Sequence, residues 1–146
     1  MIAPPPLIYL VALAAGLALD ALLPSPQVPR AVAWTLGGAL LIAGVSLAAW
    51  FLVTFRGAGT PVDVRRPAAV LVTTGPFRFS RNPGYLSLTV IYAGIAVVAS
   101  ALWAFLVLPA TLVAVQHGVI KREERYLARR FGDSYRRYQQ RTRRWL

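Results

Sequence analysis

The chain has no cysteine, one histidine and only five acidic residues in 146. Without cysteine there is no disulfide framework, thiol nucleophile or thiolate metal site, and with His117 as the sole imidazole no metal site is expected. Charge is scarce as well. Charged residues make up 14% of the chain against 57% hydrophobic, and the mean hydropathy is +0.55. Those values exclude an ordinary soluble domain and indicate an integral membrane protein. Apolar runs much longer than a barrel strand leave helices as the way to satisfy the backbone in hydrocarbon. The opening stretch MIAPPPLIYL has no basic region of the kind that begins a secretory signal, so the first apolar run reads as a retained span.

Residues 7–23 form that first span, broken only by Asp20, and PSPQVP follows as an extended connection. Residues 31–55 carry no charge and form the second. Its Ala39/Ala43 and Gly44/Ala48 pairs are candidate close-packing faces. From Gly84 to Ile120 no charge occurs for 37 residues. At about 1.5 Å per residue that is too long for one crossing of a core about 30 Å thick. It divides near Ser100 into spans 84–100 and 101–120, with a kink expected at Pro109. The expected fold is all-α: about four transmembrane helices in a single domain, followed by an amphipathic interfacial helix.

Of 16 basic residues, only Arg30 falls in the first or third connection. Arg56, Arg65, Arg66, Arg78 and Arg81 lie between the second and third spans, and ten more follow Ile120. The positive-inside rule therefore puts both termini, the loop 56–83 and the tail 121–146 in the cytoplasm, with the cell inner membrane as the expected location. A net charge of +11 concentrated beside membrane spans points to anionic headgroups, and no nucleic-acid partner is expected.

The tail KREERYLARRFGDSYRRYQQRTRRWL continues the fourth span. Ile120, Leu127, Phe131, Tyr135 and Tyr138 make an apolar and aromatic stripe at helical spacing, which should lie at the interface or pack over the cytoplasmic loop. Gly132 followed by Asp133 reads as a helix stop and a fresh start. Glu123 has Val119, Ile120, Tyr126 and Leu127 at its helical neighbour positions, so no basic residue of its own helix pairs with it, and it is expected to point inward. Glu124 has Lys121 three residues earlier and reads as a solvated surface partner. His117 near the end of the fourth span is either a packing residue or an acid or base.

The loop GPFRFSRNPGYL, residues 75–86, holds more than turn chemistry. Asn82-Pro83 sets a helix start. It does not account for Arg78 and Arg81 alternating with Phe77, Phe79 and Tyr85 at a membrane boundary. Together with Gly75 and Gly84, these residues suit a planar, partly charged ligand. The GAG at residues 57–59 is a lone GxG without a strand pattern and marks no nucleotide-binding fold.

GPFRFSRNPGYL, an apolar hairpin and then KREERYLARRFGDSYRRY resemble the isoprenylcysteine carboxyl methyltransferase and phospholipid N-methyltransferase superfamily of integral membrane enzymes. The resemblance spans residues 68–141; the first two spans match only in being apolar. It implies S-adenosylmethionine bound at the cytoplasmic side and a lipid acceptor entering from the bilayer. It also implies cofactor contacts from Val70, Leu71 and Val72, from Phe77, from Asn82, Pro83, Gly84 and Tyr85 beside Arg81, and from Glu123. Two departures stand out. Asn82 takes the place of a histidine, removing a titratable ring, and Val119 stands where the prenylcysteine enzymes are expected to carry a substrate arginine.

Methyl transfer from a sulfonium needs alignment more than acid or base chemistry, which accords with the lack of cysteine and of an obvious base. On that reading Glu123 holds the cofactor's amino group or ribose, Phe77, Asn82 and Tyr85 place it, and Arg81 meets an acidic group of cofactor or acceptor. The catalytic candidates are thus Arg81 and Glu123. The alternative is a non-enzymatic membrane scaffold whose basic tail binds lipid headgroups. A transporter is disfavoured by the scarcity of charge within the spans.

Overall fold

The computed structural model describes residues 4–59, 68 and 70–146; Arg65 and Arg66 of the basic loop lie outside the described residues. The order of elements is α1 (Pro5–Leu22), α2 (Arg30–Gly57), a 3-10 turn (Gly75–Arg78), α3 (Pro83–Val98), α4 (Leu102–Val115), a π-helical turn (Gln116–Ile120) and α5 (Lys121–Arg141). Among the described residues there is no strand. Helices α1 and α2 and the continuous rod Leu102–Arg141 are each long and apolar enough to cross a membrane, and α3 is a shorter apolar helix. The protein is an all-α integral membrane bundle.

Proline at the first turn starts α1 and α3, where its missing N–H costs no intrahelical bond. The turn expected near Ser100 is present: α3 stops at Val98, Ser100 takes a φ of 52°, and α4 begins at Leu102. Asp20, the lone charge of α1, caps α4. Its Oδ2 accepts hydrogen bonds from the Trp103 and Ala104 amides at 3.0 and 3.3 Å, using two donors that α4 itself leaves open.

The helix pair α2 and α3 packs closely, through Gly44 of one expected pair but not through the Ala39/Ala43 pair. Ala39 and Ala43 are exposed, and the buried face runs through Ala33, Gly37 and Gly44. A β-carbon on Gly37 would come within 2.9 Å of the Gly94 carbonyl oxygen and of the Val98 amide nitrogen, both backbone atoms that cannot swing aside. Gly38 has nothing within 4 Å. Gly37→Ala is therefore expected to destabilise the bundle by about 1–3 kcal/mol through overpacking. Gly38→Ala should be neutral or stabilise by up to about 1 kcal/mol. Unfolding in mild detergent compares them, and equal midpoints would contradict the close approach.

The rod passes through Pro109 as helix, and its ladder is rearranged further on, at the π-turn. Within α5, Gly132 (φ 49°, ψ −123°) breaks the helix where the Gly-Asp pair predicted a stop. The second half of α5 folds back, so that Tyr135 and Tyr138 pack with Val72 and Phe77 in a small core beneath the loop, flanked by Phe51, Phe55, Leu127 and Phe131. The stripe thus covers the loop. A separate core lies among the helices around Tyr9, Tyr92, Ala104, Leu108, Val115 and Ile120.

Candidate functional site

The site forms where the loop ahead of α3 meets α5. Phe77 is buried, with its ring stacked on Phe55 at 5.9 Å between centroids and tilted against Phe51 at 5.8 Å. Its carbonyl accepts a 2.7 Å hydrogen bond from Tyr138 Oη. The next residues of the loop are laced to residues 143 and 144: the Arg81 amide donates to the Arg143 carbonyl at 2.9 Å, and Ser80 Oγ and Asn82 Nδ2 both donate to the Arg144 carbonyl, at 3.3 and 2.9 Å. Beyond them Trp145 Nε1 donates to Gln116 Oε1 at 3.0 Å. Phe79, by contrast, is exposed beside Trp50, as an interfacial aromatic would be.

The two glutamates have different tasks. Tyr85 Oη donates a 2.8 Å hydrogen bond to Glu123 Oε2, so the loop's tyrosine and the inward carboxylate of α5 meet directly. Burial raises the Glu123 pKa, the Tyr85 hydrogen bond opposes that rise, and neighbouring Glu124 adds to it. The expectation of a solvated Glu124 paired with Lys121 is overturned. Glu124 is buried, receiving Arg144 Nε and Nη2 at 2.9 and 2.8 Å in a two-pronged bond, with Arg81 Nη1 at 3.3 Å. Its partners come from the loop and the end of the tail, outside any helical spacing. Arg81 Nε and Nη1 are buried and lack a hydrogen-bond partner, so the charge of Arg81 is paired while two of its donors are unspent.

Between these groups lies a cleft of about 70 Å³. Of the residues singled out in the sequence, Val70, Leu71, Val72, Phe77, Arg81, Asn82 and Glu123 line it. Tyr85 touches it only through Glu123. Pro83 and Gly84 are not on its wall: Pro83 opens α3, and Gly84 faces the Phe51 ring. His117 is exposed, its Nδ1 3.0 Å from the Val113 carbonyl oxygen, and it is absent from this wall. Sequence reasoning missed Phe55, Glu124, Leu127, Tyr135 and Tyr138 as wall residues. For Leu127, Tyr135 and Tyr138 the aromatic stripe was the signal, and it indicated packing alone; Phe55 and Glu124 had none that pointed to the cleft. Chemically, the cleft offers a buried carboxylate, a guanidinium with unspent donors and aromatic walls, a set that matches a zwitterion with a planar apolar part.

Comparison with known proteins bears on the family of the chain. An uncharacterized protein of Haemophilus influenzae is 51% identical over 35 residues, 24% of this chain and 56% of the relative, so the match spans little more than half that protein's length. No solved structure matches the chain. The phospholipid methyltransferase family model matches residues 32–134, a stretch that holds α2, the loop, the α3–α4 hairpin and the glutamate pair. The chain belongs to the phospholipid methyltransferase family.

Proposed function

We propose that this protein is a methyltransferase that uses S-adenosylmethionine to methylate a lipophilic or lipid acceptor bearing a carboxylate, amine or thiol, at the cytoplasmic face of the membrane. The observation that carries the reading is the Tyr85–Glu123 hydrogen bond of 2.8 Å, which joins the two motif segments at one cleft. The residues present fit the donor's chemistry. The Glu123 carboxylate suits an ammonium group or ribose hydroxyls, the unspent donors of Arg81 suit a carboxylate, and Phe55, Phe77 and Leu127 suit an adenine ring.

When bound, S-adenosylmethionine supplies an electrophilic methyl group for in-line displacement. The chain's part is orientation and exclusion of water. Tyr85 fixes the carboxylate of Glu123; Asn82, whose amide is already bonded to the Arg144 carbonyl, holds the loop in place beside it. A cleft of about 70 Å³ is well short of the roughly 300 Å³ at the lower end for small-molecule pockets. Binding therefore requires the cleft to widen. Basic residues gathered at the loop and α5 support a cytoplasmic, inner-membrane orientation with contact to anionic headgroups.

Titration of lipid-reconstituted protein with S-adenosylmethionine is the primary test. Saturable binding is expected, weakened about tenfold or more in Glu123→Gln through loss of a charge-assisted contact. Incubation with labelled methyl donor and a lipid extract then identifies the product. Failure of folded, reconstituted protein to bind the donor would overturn the proposal and favour a scaffold with a headgroup-binding tail.

A further inference from the structure

Glu124 separates the cleft just described from a second, larger one. This outer cleft, of about 360 Å³, has His117, Lys121, Arg125, Gln139 and Arg144 on its walls and shares Glu124 with the inner one. Its volume falls in the range of small-molecule pockets, roughly 300–1,000 Å³. Its charge is lopsided. Both oxygens of Glu124 are taken by Arg144, with Arg81 alongside. Among the described residues the ion pairs use only Glu124 and Asp133, and none includes Lys121 or Arg125.

Lys121 and Arg125 stand one helical turn apart on α5. Like charges at that spacing repel unless an anion lies between or beside them. Gln139 and His117 add polar groups to the same concavity, and the Arg144 guanidinium reaches it from the tail. The wall therefore sets the N–H donors of three cationic side chains against one carboxylate, whose oxygens Arg144 already engages. An anion with three or four acceptor oxygens matches that set better than a two-oxygen carboxylate. The cleft also lies at the end of the apolar rod, where α4 gives way through the π-turn to the charged helix α5.

We propose that the outer cleft is a phosphate-binding site, held by Lys121, Arg125 and Arg144, for the phosphate of a lipid headgroup or of a free phosphate ester. The site is distinct from the methyl-donor cleft and does not depend on the methyltransferase reading, because neither Lys121 nor Arg125 lines the inner cleft.

The test uses the full chain in vesicles of a zwitterionic lipid. Two probes are added separately: inorganic phosphate, and vesicles containing a phosphomonoester lipid. The variant is Lys121→Gln with Arg125→Gln; Arg144 is left intact because it also holds Glu124. The control is Arg129→Gln with Arg137→Gln, which removes the same charge from exposed positions outside the cleft. Binding of at least one probe should weaken about tenfold or more in the variant and stay within about twofold in the control, as expected for lost charge-assisted bonds. Weakening with both probes means that free phosphate suffices; weakening with the lipid probe alone assigns the headgroup as source. Equal losses in variant and control, or no loss in either, would overturn the proposal by reducing the effect to diffuse attraction or to none. S-adenosylmethionine titration of the same variant reads the inner cleft independently, so failure of one site is told apart from failure of the other.

Discussion

Replacing Glu124 by alanine is expected to cost about 3–5 kcal/mol of stability, the amount typical of a buried charge left without its partner. The reason is local. Arg81 and Glu124 each keep only 11% of their side-chain surface exposed, and Arg144 grips the same carboxylate with two nitrogens. Removing it strands the Arg81 guanidinium, two of whose donors already lack hydrogen bonds, and releases the anchor of residues 143 and 144. Replacing both partners, Arg81→Met with Glu124→Leu, should cost clearly less than Glu124→Ala alone, since the Arg81 charge is then not left buried without its partner. Chemical unfolding in mild detergent measures both. A single substitution costing under about 1 kcal/mol would mark the cluster as an ordinary solvated ion pair.

Donor affinity is expected to depend steeply on pH, through Glu123. Burial lifts its pKa above the ordinary 4.5, so the free protein retains a proton there at pH values where a solvated glutamate has lost it. A cationic ligand favours the ionised form. Binding then expels the proton, and affinity should rise by up to about tenfold per pH unit until the pH passes the raised value, then level off. Tyr85→Phe removes the hydrogen bond that opposes the shift, so the rise should move to higher pH; Glu123→Gln should flatten it. For stability the sign reverses. The folded pKa lies above the unfolded one, so the contribution of Glu123 is complete below 4.5 and is lost as pH climbs through the raised value. Calorimetric titration at several pH values gives the slope, and a flat profile in the wild type would remove Glu123 from the cation's environment.

Much of this was legible in the residues themselves. Hydrophobic run length gave the helices, an overlong charge-free stretch gave the turn at Ser100, and Gly132 marked the break in α5. The lack of basic neighbours around Glu123 signalled its inward orientation, and the Tyr85 bond accounts for it. The role of Glu124 was not legible, for a definite reason. The buried positions of the rod run Ala104, Leu108, Thr111 and Val115, and regular spacing would continue them to Gly118 or Val119 and then to Arg122, with neither carboxylate central. The π-turn shifts the series C-terminally, and the buried positions after it are Ile120 and Glu124, while Glu123 is turned towards Tyr85 of α3. Nothing in QHGVI announces such a turn. Residues 143 and 144 were equally opaque, because their partners are loop backbone atoms rather than a periodic face.

That wide turn also governs which changes of chain length this family fold can absorb. A relative lacking one residue between Gln116 and Ile120 would revert to unbroken α-helix, and its downstream helix would still face the loop, because the position of Ile120 would then fall one ordinary turn after Val115. A relative with one residue more would swing the downstream helix by about 100° and carry both carboxylates away from Tyr85 and Arg81. Insertions and deletions at this point are thus not equivalent: the turn is a reserve of one residue, already drawn out of the helix, that can be given back but not doubled.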